Sequence, residues 1–243
     1  EAAMCQLGGN AIFISSRDSQ MGRGEPIKDT ARVLSRYLDA VVIRTFGHDI
    51  VDEFSEYSSI PVINGLTDLH HPCQVLTDAF TLFEKKGYYK GLKVVWIGDG
   101  NNMANSWIEA ASILGFDLFL ACPEGYEPER KILEQAKKNA TSKIEVLKDP
   151  KDAADGADVL NTDVWASMGQ EQEREKRVKD FKGYQINEGI LKLAKKDAIV
   201  MHCLPAHRGE EITDDIMEGS QSVVFEQAEN RLHVQKAVLE WLL

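Results

Sequence analysis

The sequence predicts an α/β protein with two lobes, each built on a mainly parallel sheet flanked by helices. Short apolar runs of strand length alternate with helical patterns along nearly the whole chain, and strands that alternate with helices favour parallel sheets covered on both faces. The chain has 243 residues, which is enough for one large domain or two small ones. The polar stretch "EKKGYYKG" (84–91) offers a boundary between them.

In the first half of the chain, apolar runs predict strands and helical spacing predicts the elements between them. Ala31, Leu34 and Leu38 lie three or four residues apart on one predicted helix. Pro72 in the first turn and Gly87 as a stop bound another. In order, the predicted elements are a strand at 10–15, a helix at 27–39, a strand at 40–46, a helix at 50–58, a strand at 60–64 and a helix at 71–87.

The second half repeats this alternation. Apolar runs predict strands at 92–98, 116–122, 143–147, 158–162 and 198–203, and helical patterns predict helices at 102–114, 127–139 and 228–243. The mixed-charge stretch "GQEQEREKRVKDF" (169–181) is typical of a solvated helix face. We therefore expect one domain from residues 1–86, joined by the C-terminal helix 228–243, and a second from residues 87–227.

Composition excludes several classes of function. The formal net charge of −11 argues against a nucleic-acid partner, because such binding depends on Lys and Arg neutralising phosphates. The four cysteines show no CxxC spacing, so neither a disulfide framework nor a zinc framework is indicated. No apolar run is long enough to span a bilayer. The pairs His71/Cys73 and His202/Cys203 are too closely spaced for a natural chelate, so we expect no metal.

Polar residues follow several predicted strands, where ligands of parallel sheets bind. Arg44, His71, Asp163 and Cys203 stand at such positions. Each has an ordinary structural interpretation as well: a surface cation, a helix-end residue, a turn cap and a small buried thiol, respectively. "WIGDGNN" (96–102) is a glycine turn between strand and helix, but it lacks the third glycine of a dinucleotide fingerprint and only weakly indicates a nucleotide-binding oxidoreductase.

Several motifs together resemble the aspartate/ornithine carbamoyltransferase family. They are "SQMGRGE" (19–25), "HPCQ" (71–74), "DVWASMG" (163–169), "HCLPAHRGEEI" (202–212) and "FEQAENRLH" (225–233), in the family's order. "HPCQ" is shared with the aspartate enzymes, whereas the SMG loop joined to HCLP resembles the ornithine branch. The family's Ser-Thr-Arg-Thr phosphate loop should lie just before residue 1 and is not in this sequence, so we expect the chain to be truncated at its N-terminus.

The resemblance implies transfer of a carbamoyl group from carbamoyl phosphate to the δ-amine of L-ornithine, without cofactor or metal. Residues 1–86 would bind carbamoyl phosphate and residues 87–227 would bind ornithine. The residues implied to be catalytic are Asp163, Cys203, Arg44 and His71. Those implied to contact carbamoyl phosphate are Gln20, Arg44, His71, Pro72, Cys73, Gln74, Cys203, Leu204 and Arg231. Those implied to contact ornithine are Asn102, Asp163, Ser167 and Met168.

The roles implied for these groups follow the needs of the reaction. Arg44, His71 and Gln74 have donors that would polarise the carbamoyl carbonyl. Asp163 would orient the amine and Cys203 would help set its protonation, since an alkyl amine must be neutral to attack. "AHRGEEI" (206–212) is expected to be a solvated loop leaving the site.

The family implies a cytoplasmic homotrimer, or a multiple of trimers, that acts in arginine biosynthesis. Two alternatives remain open at this point. The acceptor could be a related amine such as putrescine or N-acetylornithine, or the chain could be a non-catalytic paralogue that binds an amino acid.

Overall fold

A computed structural model describes residues 1–15, 24–166 and 171–243 of the chain. These residues form two compact units. Unit 1 comprises Glu1–Cys73 and Arg231–Leu243, and unit 2 comprises Gln74–Asn230. Among the described residues, no helix has the length and apolarity that a membrane crossing requires. The predicted domain boundary after residue 86 stays a prediction.

Unit 1 is built on a two-stranded parallel sheet. Its elements are α1 (Ala2–Gln6), α2 (Ile27–Leu34), β1 (Val41–Arg44), α3 (His48–Tyr57) and β2 (Val62–Leu66). β1 and β2 pair in parallel, with Val41 opposite Val62 and a register shift between Ile43 and Arg44. The register shift therefore lies at the carboxyl end of β1, next to Arg44.

Unit 2 is built on a five-stranded parallel sheet. Its strands are β3 (Lys93–Ile97), β4 (Asp117–Ala121), β5 (Ile144–Leu147), β6 (Val159–Thr162) and β7 (Ile199–His202), in the order β5-β4-β3-β6-β7. Its helices are α5 (Asn102–Leu114), α6 (Arg130–Asn139), α7 (Pro150–Ala154), α8 (Arg174–Asp180), α9 (Glu188–Leu191) and α10 (Asp214–Met217). Two longer helices, α4 (Pro72–Lys86) and α11 (Val224–Leu242), contribute residues to both units.

Alternate residues of the sheet in unit 2 face two separate cores. Val94 and Trp96 belong to one buried cluster with residues of α5, whereas Val95 and Ile97 belong to a second with residues of α7, α9 and α10. Both faces of the sheet are therefore covered, as parallel sheets require. The α/β class with parallel sheets flanked by helices, predicted from the sequence, is confirmed.

The structure corrects three predictions about local structure. Residues 10–15 form no strand, and Ile12 and Phe13 are largely exposed, because the described part of unit 1 pairs only β1 with β2. The last helix begins at Val224 rather than at residue 228. The charged stretch 169–181 is not uniformly solvated, since Arg177 is buried.

Candidate active site

The carboxylate of Asp163 directly follows β6 and is held by three donors. Its Oδ1 accepts hydrogen bonds from the Cys203 thiol at 3.0 Å and from the Val164 amide at 2.8 Å. Its Oδ2 accepts from Nδ2 of Asn101 at 3.1 Å. The side chain stays partly exposed. A fixed, ionisable acceptor with remaining lone pairs is therefore presented at the carboxyl edge of the sheet.

Cys203 directly follows β7, the neighbour of β6 in the sheet, which is why its thiol reaches Asp163. The residue keeps some exposed surface, yet burial of the thiol raises its pKa well above the ordinary value, and the negative charges of Asp163 and Asp78 raise it further. The thiol is consequently neutral at physiological pH and acts as a hydrogen-bond donor, not as a thiolate nucleophile.

His202 is buried between β7 and the loop that follows. Its Nδ1 accepts from the Leu204 amide at 2.9 Å, so the ring proton lies on Nε2, which donates to Glu211 Oε1 at 3.0 Å. The same carboxylate oxygen accepts from the His207 amide at 2.6 Å. Glu211 is fully buried. The prediction that 206–212 is a solvated loop is thus wrong at Glu211, which closes the loop back onto the strand.

A second polar cluster joins α4, α11 and the end of β7 within unit 2. Nε2 of Gln74 and Nε2 of Gln227 both donate to Oδ1 of Asp78, at 2.8 and 2.6 Å. Oε1 of Gln227 accepts from the His202 amide at 2.9 Å. All four residues are buried. Because one N–H of Gln74 donates to Asp78, its Oε1 is turned away from that carboxylate and is an acceptor without a partner among the described residues. The donor role that the sequence interpretation gave Gln74 stays a prediction.

An ion pair supports the loop between β3 and α5. Nη1 of Arg177 donates to Asp99 Oδ2 at 2.7 Å and to the Trp165 carbonyl at 2.8 Å. Burial raises the pKa of Asp99, and the guanidinium opposes that rise. Arg177 also lies over the Tyr126 ring. Through these two bonds Arg177 links residues 163–165 to the loop between β3 and α5, which contains Asn101.

Unit 1 holds five of the predicted site residues, Arg44, His71, Pro72, Cys73 and Arg231. Arg44 ends β1 and is exposed, and His71 is buried immediately before α4, which begins at Pro72. Cys73 is buried and its thiol donates to the Asn64 carbonyl at 3.4 Å.

Arg231 lies on the part of α11 that belongs to unit 1. Its positive charge opposes the rise in the Cys73 thiol pKa that burial causes. A cation therefore lies close enough to the first turn of α4 to act on that thiol electrostatically.

Three of the predicted site residues, Gln20, Ser167 and Met168, lie outside the described residues. Asn102 is the first residue of α5, and the preceding Asn101 caps that helix by accepting from the Met103 and Ala104 amides. The position of Asn102 near the carboxyl end of β3 agrees with the sequence interpretation. The role of Asn102 in binding ornithine stays a prediction.

One potential metal cluster overlaps this site. Asp163, His202 and Cys203 each place a ligand atom within 4.8 Å of the others. Both ring nitrogens of His202 are engaged, however, one as acceptor and one as donor. The Cys203 thiol is protonated and donates to Asp163. A metal ion would have to break these bonds, so the residues as arranged do not fit one.

Sequence reasoning missed Asp78, Gln227 and the pairing of His202 with Glu211. Asp78 had a signal, since it lies four residues after Gln74 and so on the same face of a helix. Gln227 and Glu211 had none, because their partners come from other elements of the chain.

Two family models cover nearly the whole chain. The model described as "Aspartate/ornithine carbamoyltransferase, carbamoyl-P binding domain" matches residues 1–84, and the one described as "Aspartate/ornithine carbamoyltransferase, Asp/Orn binding domain" matches residues 90–242. The chain belongs to the aspartate/ornithine carbamoyltransferase family. The resemblance read from the sequence motifs is thereby confirmed.

Relatives within this family are close. The chain is 63% identical to an ornithine carbamoyltransferase of Geobacter metallireducens over 243 residues, which is all of this chain and 80% of that protein. It is similar to the solved ornithine carbamoyltransferase from Pyrococcus furiosus, with a TM-score of 0.94 and 54% identity over 98% of this chain and 77% of that one. It is also similar to the anabolic ornithine carbamoyltransferase from Campylobacter jejuni, with a TM-score of 0.94 and 46% identity over 100% of this chain and 81% of that one.

Proposed function

We propose that this chain transfers the carbamoyl group of carbamoyl phosphate to the δ-amine of L-ornithine, giving L-citrulline and phosphate in arginine biosynthesis. Relatives 58 to 63% identical are named ornithine carbamoyltransferases, and one similar solved structure is described as anabolic. The observation that carries the proposal is the Asp163 carboxylate, fixed by Cys203 and Asn101 at the edge where β6 and β7 end.

The acceptor amine must lose its proton before it attacks, because a free alkyl ammonium has a pKa of about 10.4. We assign Asp163 to orient the δ-amine, since its carboxylate keeps lone pairs that can accept from an N–H. Cys203 acts on the protonation of the amine through this carboxylate, because its neutral thiol already donates to Oδ1. Neither role requires a covalent intermediate on the protein.

The donor substrate carries a phosphate and a neutral carbamoyl group. Arg44 and Arg231 suit the phosphate, because a guanidinium binds phosphate oxygens through two parallel hydrogen bonds. His71 is assigned to the carbonyl oxygen, whose negative charge grows as the tetrahedral intermediate forms. Gln74 and the Leu204 carbonyl are assigned to the carbamoyl nitrogen, since Oε1 of Gln74 is a buried acceptor without a partner among the described residues.

The remaining assignments are carried over from the family. Gln20, Pro72 and Cys73 are proposed to line the carbamoyl phosphate site, and Asn102, Ser167 and Met168 are proposed to hold the amino-acid end of ornithine. Holding that end in place brings the amine to attack distance and lowers the entropic cost of reaction. We further propose that the protein works in the cytoplasm as a homotrimer or a multiple of trimers.

Citrulline formation from L-ornithine and carbamoyl phosphate tests the proposal. It is measured on this chain and on a form extended upstream by the family's Ser-Thr-Arg-Thr segment. Asp163→Asn should lower kcat by about 10²-fold, because the δ-amine would lose the carboxylate that orients it for attack. Asp152→Asn, which changes an exposed carboxylate on α7, is the matched control and should leave kcat unchanged.

Two results would contradict the assignment. One is the absence of citrulline from both forms of the folded protein. The other is faster carbamoylation of putrescine or N-acetylornithine than of ornithine, measured at equal concentration, which would place the protein with a different acceptor.

A further inference from the structure

The side-chain amide of Gln74 can face Asp78 in only one orientation, with Nε2 toward the carboxylate. An ionised carboxylate accepts hydrogen bonds and donates none, so the Gln74 atom 2.8 Å from Asp78 Oδ1 must be Nε2. The oxygen Oε1 is then turned away from Asp78. It is buried and has no hydrogen-bond partner among the described residues. A buried acceptor without a partner is unfavourable, so this atom is suited to receive an N–H of a bound ligand.

The same carboxylate fixes a second amide. Nε2 of Gln227 lies 2.6 Å from Asp78 Oδ1, which leaves Oε1 of Gln227 to accept from the His202 backbone amide at 2.9 Å. His202 immediately precedes Cys203 and Leu204. One carboxylate thus sets the direction of two amides, one of which fastens the end of β7.

We propose that Asp78 is a positioning residue that turns Gln74 into an acceptor for the NH₂ group of carbamoyl phosphate and, through Gln227, anchors the strand end that carries Cys203 and Leu204. This inference rests on the proposed function, and it adds the residue that decides which substrate group Gln74 recognises. An amide with the opposite sense would present donors to the carbamoyl nitrogen, which also carries hydrogens, and the two would repel each other.

The inference is tested with two acyl phosphates of similar shape. Carbamoyl phosphate carries an NH₂ group where acetyl phosphate carries a methyl group, so only the former can donate to Gln74. The experiment measures KM for carbamoyl phosphate and the inhibition constant of acetyl phosphate in the form of the protein that makes citrulline. Asp78→Leu removes the acceptor at similar size, Asp78→Ala is a second variant of the same kind, and Asp78→Asn keeps an oxygen that both amides can use.

The leucine and alanine variants should raise KM for carbamoyl phosphate by about 10-fold, as expected for one lost hydrogen bond, and change the inhibition constant of acetyl phosphate by less than about 2-fold. Asp78→Asn should restore most of the lost affinity. Thr81→Val is the matched control, because Thr81 accepts from Asn230 at 3.0 Å and so ties α4 to α11 without touching Gln74. It should leave both constants unchanged.

Two outcomes would overturn the inference. Equal weakening of both ligands would show a general structural role, and unchanged affinity for carbamoyl phosphate would show that Asp78 does not set the Gln74 amide. Failure of the proposed function looks different, since the wild-type protein itself would then make no citrulline.

Discussion

Replacing Arg177 with methionine should destabilise the protein strongly, although the stretch around it looks like a solvated helix in sequence. Arg177 is 6% exposed and its partner Asp99 is 7% exposed. Removing the guanidinium leaves the Asp99 carboxylate buried without its counter-charge, and the Trp165 carbonyl loses a donor. The size of the effect follows from how costly an unpaired buried charge is.

Breaking a buried ion pair by removing one partner costs about 3–5 kcal/mol. For a chain of this length, each kcal/mol shifts the unfolding temperature by about 2–4 °C, so Arg177→Met should lower it by about 6–20 °C. Lys192→Met is the matched control. It breaks the pair between Lys192 and Glu188, whose side chains are 69% and 70% exposed, and should change stability by less than about 0.5 kcal/mol.

The stability that Arg177→Met loses should be smaller at low pH than at neutral pH. Burial already raises the pKa of Asp99 in the folded protein, and Arg177 opposes that rise, so the variant should have a still higher Asp99 pKa. A carboxyl whose folded-state pKa is raised stabilises the protein at low pH and loses that contribution as pH rises from about 3.9, its unfolded value, through the folded value. The deficit of Arg177→Met should therefore be smaller at pH 5 than at pH 7.5.

Thermal unfolding followed by circular dichroism at both pH values measures this. Adding Asp99→Asn to Arg177→Met should recover part of the lost stability, because the buried charge is then absent. A loss below about 1 kcal/mol, or a deficit that does not shrink at pH 5, would refute the argument that an uncompensated Asp99 charge is its cause.

Two further predictions concern a thiol and a glycine. At pH 7.5 a thiol reagent should modify the exposed Cys5 quickly and Cys203 slowly, because the pKa of the Cys203 thiol is raised. Mass spectrometry of labelled peptides measures both rates. Equal rates would contradict a neutral Cys203 thiol. Gly100→Ala should lower the free energy of unfolding by about 1–3 kcal/mol, because the Cβ of the alanine would overlap the backbone at Glu127 and Pro128. Urea unfolding measures this, and an unchanged midpoint would show that the backbone moves aside.

The fold class and the positions of Asp163 and Cys203 could be read from the sequence, because both depend on local pattern. Apolar runs of four to seven residues separated by helical spacing lead to parallel strands, and a polar residue that follows such a run lies at the strand's carboxyl end. The boundaries of α5 were predictable for the same reason, since Asn101 caps its first turn and Gly115 ends it in a left-handed conformation.

What the sequence alone determined, therefore, is which residues of the carbamoyltransferase motifs lie at the carboxyl ends of parallel strands. Only the tertiary structure decided which of them meet. The strand order places β6 beside β7 although about forty residues separate Asp163 from Cys203 along the chain. It also buries Arg177, Glu211 and Asp78, three charged side chains that would be assigned to the surface by composition. A charge can be buried only where another part of the chain supplies its partner, and no local periodicity carries that information.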